Sequence, residues 1–138
     1  MKLQLVPPPL IDDVWPHVQG WLSRAIDKGD RWWSEERLRA ALTINEGAAL
    51  FLAIDQKGVH AACAVMVEDK PNGERVMHVP ACGGVAVRSW VHLFDEIEEW
   101  GRSQGVDQVE IGGRRGWKRL FEERGYRERP VVTMEKNL

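Results

Sequence analysis

Between Ala48 and Cys82 the sequence forms three strand-length apolar segments separated by two turns. Ala48–Ile54 is turned by Asp55-Gln56-Lys57-Gly58 into Val59–Val67, and Asp69-Lys70-Pro71-Asn72-Gly73 leads into Arg75–Cys82. Connections this short join antiparallel neighbours, so the segments predict a meander. A sheet with one wet face alternates apolar and polar residues, whereas these segments are apolar almost throughout. Both faces of the sheet must therefore be covered, and the flanking segments predict helices for the purpose.

Lys2–Val6 reads as a short strand closed by Pro7-Pro8-Pro9. A helix follows, capped by Asp12 or Asp13, with Pro16 in its first turn and Val14, Val18, Leu22 and Ile26 at helical spacing. Lys28-Gly29 stops it, and Ser34 opens a second helix whose buried stripe is Leu38, Ala41 and Leu42. After the meander, Gly83-Gly84 is expected to break the third strand and Ser89 to cap a helix with Trp90, Leu93, Phe94, Ile97 and Trp100 on its apolar face. Val106–Ile111 reads as a strand, Gly116–Arg124 as a helix closed by Gly125, and Val131–Glu135 as the last strand. The order is β-α-α-β-β-β-α-β-α-β. It implies an α/β (α+β) fold with a mixed, mostly antiparallel central sheet and helices on both faces, spanning 1–138 as a single domain.

Charge and composition exclude several classes. Nineteen Lys plus Arg against 21 Asp plus Glu leave a net charge of −2, which disfavours extended nucleic-acid binding. A hydrophobic fraction of 43% is that of a globular chain, and 138 residues can build a core without staples. Cys63 and Cys82 are too few for a disulfide framework, and no His or Cys spacing suggests a metal site. No apolar run approaches the ~20 residues of a membrane span and no signal-peptide pattern opens the chain, so a cytoplasmic protein is expected. Seven tryptophans accompany a single tyrosine. Several are expected in the core, and one of the adjacent pair Trp32 and Trp33 in a surface groove. Arg114 and Arg115 flank glycines at a helix N-terminus, where positive charge opposes the dipole, an arrangement that suits a bound anion.

This element order resembles the GNAT superfamily of acyl-CoA-dependent N-acyltransferases. The most specific part is Gly112-Gly113-Arg114-Arg115-Gly116-Trp117-Lys118-Arg119-Leu120-Phe121-Glu122-Glu123-Arg124-Gly125-Tyr126, which looks like the family's last helix and its ending. The stretch is also similar to a compact branch of GNAT-like proteins found in phage and prophage genomes. The resemblance implies that Arg75–Cys82 splays from Val106–Ile111, that acetyl-CoA enters the gap as cosubstrate, and that its phosphates rest on Gly83, Gly84, Val85 and Ala86. Helix N-terminal amides and dipole would attract the anion there. Pro80 fits a splay, since proline cannot donate to a ladder and marks edges and bulges. Arg114 and Arg115 would also face CoA phosphates, with nucleic-acid phosphate the lesser alternative. Gly84 would be a point of close backbone approach, replaceable at the expense of CoA binding with folding mostly intact.

The implied chemistry is acetyl transfer to a primary amine of a small molecule or protein. His78 is the leading base, because free imidazole titrates near ~6.5 and strand alternation places it with Val76, Pro80 and Cys82. A structural, hydrogen-bonded histidine is the plainer reading. Glu110 is a base acting through water, or else the partner of a nearby Arg. The family's acidic tyrosine is matched here by Phe121, which has no proton to give, leaving Tyr126 as the substitute if it turns back to the cleft. Cys82 as a nucleophile competes with the commoner role of a small buried hydrophobe. Trp32 and Trp33 fall where the family shapes its acceptor site. The helix surfaces and tryptophans could also support a homodimer. The alternative function is a catalytically inactive GNAT-like phage protein acting through protein contacts.

Overall fold

The computed structural model describes residues 1–29, 33–44, 47–112 and 115–138, with the backbone alone of Arg115. The meander is the middle of a five-stranded sheet whose spatial order is the chain order. Its strands are β1 (Lys2–Leu5), β2 (Ala48–Asp55), β3 (Gly58–Asp69), β4 (Arg75–Gly84) and β5 (Gln108–Ile111). The helices are α1 (Ile11–Asp27), α2 (Glu35–Ile44), α3 (Phe94–Ser103) and α4 (Arg115–Glu122). Strands β1 to β4 pair antiparallel, and β5 joins β4 in parallel. The parallel pair needs a crossover, and α3 supplies it.

Strict alternation along β2 explains its unbroken apolar sequence. Ala48, Leu50 and Leu52 face α1 and α2, where they meet Trp15, Val18, Leu22, Leu38 and Leu42. Ala49, Phe51 and Ala53 face the other way, onto Phe94, Ile97 and Phe121 of α3 and α4. The sheet thus carries helices on both faces, as the near-continuous apolar content requires. Alanines at 62, 64 and 81 keep the first face shallow, so α1 lies close against the strands. Trp15 and Trp90 are buried, while Trp21, Trp33, Trp100 and Trp117 are partly so. No helix among the described residues is long and apolar enough to cross a membrane.

The elements differ from the sequence reading at four places. Helix α1 begins at Ile11 without a side-chain cap, so Asp12 and Asp13 occupy its first turn and Pro16 falls in its second. Ser34, by contrast, does cap α2, its hydroxyl accepting from the Arg37 amide at 3.1 Å. Gly83 and Gly84 do not break β4; they are paired in it with Ala62 and Ala61. Helix α3 starts at Phe94, because two short 3-10 turns, Val87–Ser89 and Val91–Leu93, intervene and the Ser89 hydroxyl donates back to the Ala86 carbonyl. Finally, Val131–Glu135 forms no strand. Val131, Val132 and Met134 are 72%, 83% and 88% exposed, with no sheet neighbour to bury them.

Candidate functional site

Between the pairs Ala64–Ala81 and Met66–His78, β3 advances two residues and β4 three. Strand β4 therefore carries a bulge at Val79–Pro80. The last rung joining β4 to β5 is Val79–Ile111. Bulge and lost pairing coincide at Pro80, which cannot donate to a neighbour. Beyond this rung β4 continues to Gly84 with no strand on its outer side among the described residues.

The gap is a shallow cleft beyond the carboxyl end of β5. Its walls are Val79, Pro80, Ala81 and Cys82 of β4, Ile111 and Gly112 leaving β5, Trp117 of α4, and Ala25, Lys28 and Gly29 at the end of α1. Trp117, Lys28 and Gly112 line the cleft although the sequence marks none of them as a site residue. Lys28-Gly29 reads there only as a helix stop.

The bulge also corrects the expected face of His78. Met77 and Val79 pack with the α3 and α4 layer, and so does Cys82, while Ala81 packs with the α1 layer. The extra residue shifts the alternation, so Cys82 and His78 lie on opposite faces of β4. His78 instead neighbours Glu110 across the parallel pair. Its Nδ1 is 3.1 Å from Glu110 Oε2 and its Nε2 is 3.2 Å from Glu68 Oε2. Lys70 Nζ lies 2.8 Å from Glu110 Oε1, and the Arg129 guanidinium pairs with the same oxygen. Burial raises the Glu110 proton affinity, but the Lys70 hydrogen bond and the charges of His78, Arg129 and Lys70 outweigh it and hold the carboxyl below its ordinary range. His78 and Glu110 are thus brought together one rung from the cleft, and Glu110 is also the partner of an Arg.

Other expected site residues are placed differently. Tyr126 is turned away from the cleft: its ring packs edge-on to Phe121 at 5.2 Å and its hydroxyl donates to Glu98 at 2.7 Å. Burial and that hydrogen bond push its phenol well above the ordinary range. Phe121 is itself buried against Phe94. A side chain at Gly84 would put its Cβ 2.3 Å from the His60 carbonyl oxygen, and one at Gly83 would sit 3.2 Å from the Trp21 carbonyl oxygen. Gly84 is therefore required by its contact with β3, and Gly83 sits close against α1. Beyond them Val85 is anchored by its amide to His60 and by its carbonyl to the Trp90 indole. Ala86 is the lone non-glycine with positive φ among the described residues, at +51°. Trp33 is half-buried at the edge of the core, under the Arg37 guanidinium at 5.0 Å. Trp32 and Arg114 lie outside the described residues, as does the side chain of Arg115. No His/Cys/Asp/Glu group among the described residues could hold a metal.

No family model matches the chain, and no curated protein does. Solved structures do match it over its length. An aminoglycoside acetyltransferase from an uncultured soil metagenomic sample superposes with a TM-score of 0.73 at 12% identity, covering 100% of this chain and 99% of that one. A ribosomal-protein-alanine N-acetyltransferase from Brucella melitensis gives 0.69 at 10% identity, with 100% of both chains covered. A predicted acetyltransferase from Clostridium acetobutylicum, solved with acetyl-CoA, gives 0.69 at 9% identity, covering 98% and 95%. At these identities the likeness is one of fold. The chain has the fold of the GNAT acetyltransferases.

Proposed function

We propose that the protein is an N-acyltransferase that moves the acetyl group of acetyl-CoA to a primary amine of a small molecule or protein. The observation that carries this reading is the bulge at Val79–Pro80, which opens the β4–β5 cleft one rung from His78 and Glu110. Acetyl-CoA, when bound, supplies an acyl thioester. The residues present fit it. The outer edge of β4 beyond Val79 offers backbone groups to an amide-bearing arm, and Val79, Ile111 and Trp117 offer apolar walls. Gly83 and Gly84 act as packing spacers that deliver β4 to the turn. Left-handed Ala86, followed by the 3-10 turn at Val87, sets successive amides beside Arg88, a backbone arrangement suited to phosphate.

His78 takes the proton from the amine. A neutral imidazole can donate to only one of two carboxylates. Glu110 is the fixed partner, clamped by Lys70 and Arg129, whereas Glu68 is 53% exposed and free to swing away. Its departure leaves Nε2 able to accept the proton, with Nδ1–H held on Glu110 in the manner of an oriented base. The imidazolium so formed is stabilised by the ionised Glu110 and can return the proton to the departing thiolate. This relieves the chain of any need for a tyrosine at position 121. Lys28 and the end of α1 form the side from which the amine enters.

A second reading, a GNAT-like protein without catalysis that works through protein contacts, draws on one observation. Tyr126 is committed to Glu98, so the usual type of acid is missing from the cleft. Steady-state acetylation of a panel of amines separates the two. On the enzymatic reading, His78→Ala lowers kcat by about 10²–10⁴-fold while acetyl-CoA still binds. Binding of acetyl-CoA without turnover of any amine would favour the second reading.

A further inference from the structure

Cys63 and Cys82 are directly opposed in the antiparallel β3–β4 ladder. Both are free thiols, both are buried, and both point into the layer covered by α3 and α4. Directly opposed residues have Cα atoms about 4.5 or 5.5 Å apart, according to the type of pair. Either spacing is within the range of about 4.4–6.8 Å that a disulfide spans. The neighbouring Cys82 thiol and burial raise the Cys63 thiol well above its ordinary range. Two further facts bear on reactivity. Both cysteines border a small space beneath Trp90, Leu93 and Phe94. Cys82 is also one of the residues lining the β4–β5 cleft, the side from which a small oxidant would approach the pair.

We propose that Cys63 and Cys82 are a reversible oxidation site in the cleft wall, converted by peroxide into an intramolecular disulfide. The Cys82 sulfur, reached through the cleft, attacks one peroxide oxygen; the O–O bond breaks, water leaves and Cys82 becomes a sulfenic acid. The Cys63 sulfur then attacks the Cys82 sulfur, the S–O bond breaks, and a second water carries off the remaining proton. Two thiols are oxidised by two electrons, and one peroxide is reduced to two waters. The product ties β3 to β4 at the root of the cleft. None of this depends on what the cleft binds.

The test is to treat the folded native chain with graded hydrogen peroxide, quench, and map thiols by mass spectrometry without reduction. The expected result is loss of both thiols together, a mass lower by two hydrogens, a cross-linked Cys63–Cys82 peptide pair, and full recovery with dithiothreitol. The oxidised chain should also melt several degrees higher, since the cross-link closes a loop and restricts the unfolded chain. Cys63→Ala should leave a sulfenic acid at Cys82 that dimedone traps. Thiols that react only after denaturation, oxidation of Cys82 to sulfinic acid with Cys63 intact in the native chain, or disulfides between chains would each overturn the proposal.

Discussion

At the scale of single residues, three small side chains at or just beyond the ends of β4 and β5 stand under different constraints. Gly84 has no room, since its Cβ would meet the His60 carbonyl at 2.3 Å and the Ala61 Cβ at 2.5 Å. Gly84→Ala is expected to destabilise the fold by about 1–3 kcal/mol, as overpacking does, and urea denaturation would show the lower midpoint. The sequence reading expected the opposite, a substitution that folding tolerates, because the close neighbour it imagined was a ligand and not the adjacent strand. Ala86 has room but is held at φ +51°, where an L-residue is strained by roughly 1–2 kcal/mol. Ala86→Gly should relieve that strain, and after the entropy of glycine in the unfolded chain, about 0.4–1 kcal/mol, the midpoint should rise slightly or hold. A clear fall would mean that the turn is not built as described. Gly112 has neither constraint: among the described residues nothing lies within 4 Å of a Cβ there.

At the scale of elements, an acidic side chain of α2 helps tie it to α1. Glu35, in the first turn of α2, accepts from the Trp15 indole at 3.0 Å and the Ser23 hydroxyl at 2.8 Å. These bonds, the Trp15 bond foremost, hold its carboxyl below the ordinary 4.5. A carboxyl with a depressed folded value is protonated first in the unfolded chain. Its stabilisation is therefore present above about pH 4.5 and is lost as the pH falls through the lower folded value. Glu35→Gln should lower stability at neutral pH and flatten this part of the acid limb, which melting curves between pH 3 and 7 would reveal. The same scale shows what a sequence makes legible. The turns at Asp55–Gly58 and Asp69–Gly73 and the Ser34 cap depend on residues close in the chain, and all were readable. The start of α3 was not, because 3-10 turns at Val87 and Val91 share the spacing of a helical first turn. Nor was the fate of Val131–Glu135, whose alternation suits a strand but whose pairing depends on a neighbour that local sequence does not supply. For the site, Pro80 announced the splay, and residues 78 and 110 were singled out. The bulge that turns His78 from Cys82 and sets it beside Glu110 involves a register between distant segments, which no local pattern records.

At the scale of the whole molecule, the sheet carries helices on both faces and opens where β4 outruns β5. The polar cluster of Glu68, Lys70, His78, Glu110 and Arg129 draws on three strands or their turns and on the chain beyond α4. On the acyltransferase reading, Glu110→Gln should lower kcat and leave the acetyl-CoA KM unchanged, because Glu110 orients His78 and stands outside the cleft lining. A KM that rises with an unchanged kcat would place Glu110 in binding instead. The most direct test of acyl-CoA occupancy of the cleft is a thermal-shift titration of acetyl-CoA against the native chain and Gly112→Phe. Phenylalanine at 112 is chosen to obstruct the cleft, since Gly112 lines it and a Cβ there meets no atom of the described residues within 4 Å. Ligand at 100 times its Kd stabilises by about 2.7 kcal/mol, which should raise the native midpoint by several degrees. The expected result is a saturable rise for the native chain, none with ATP, and none for Gly112→Phe despite an unliganded midpoint close to native. Equal shifts in the two proteins, or no shift in the native chain at millimolar acetyl-CoA, would contradict it.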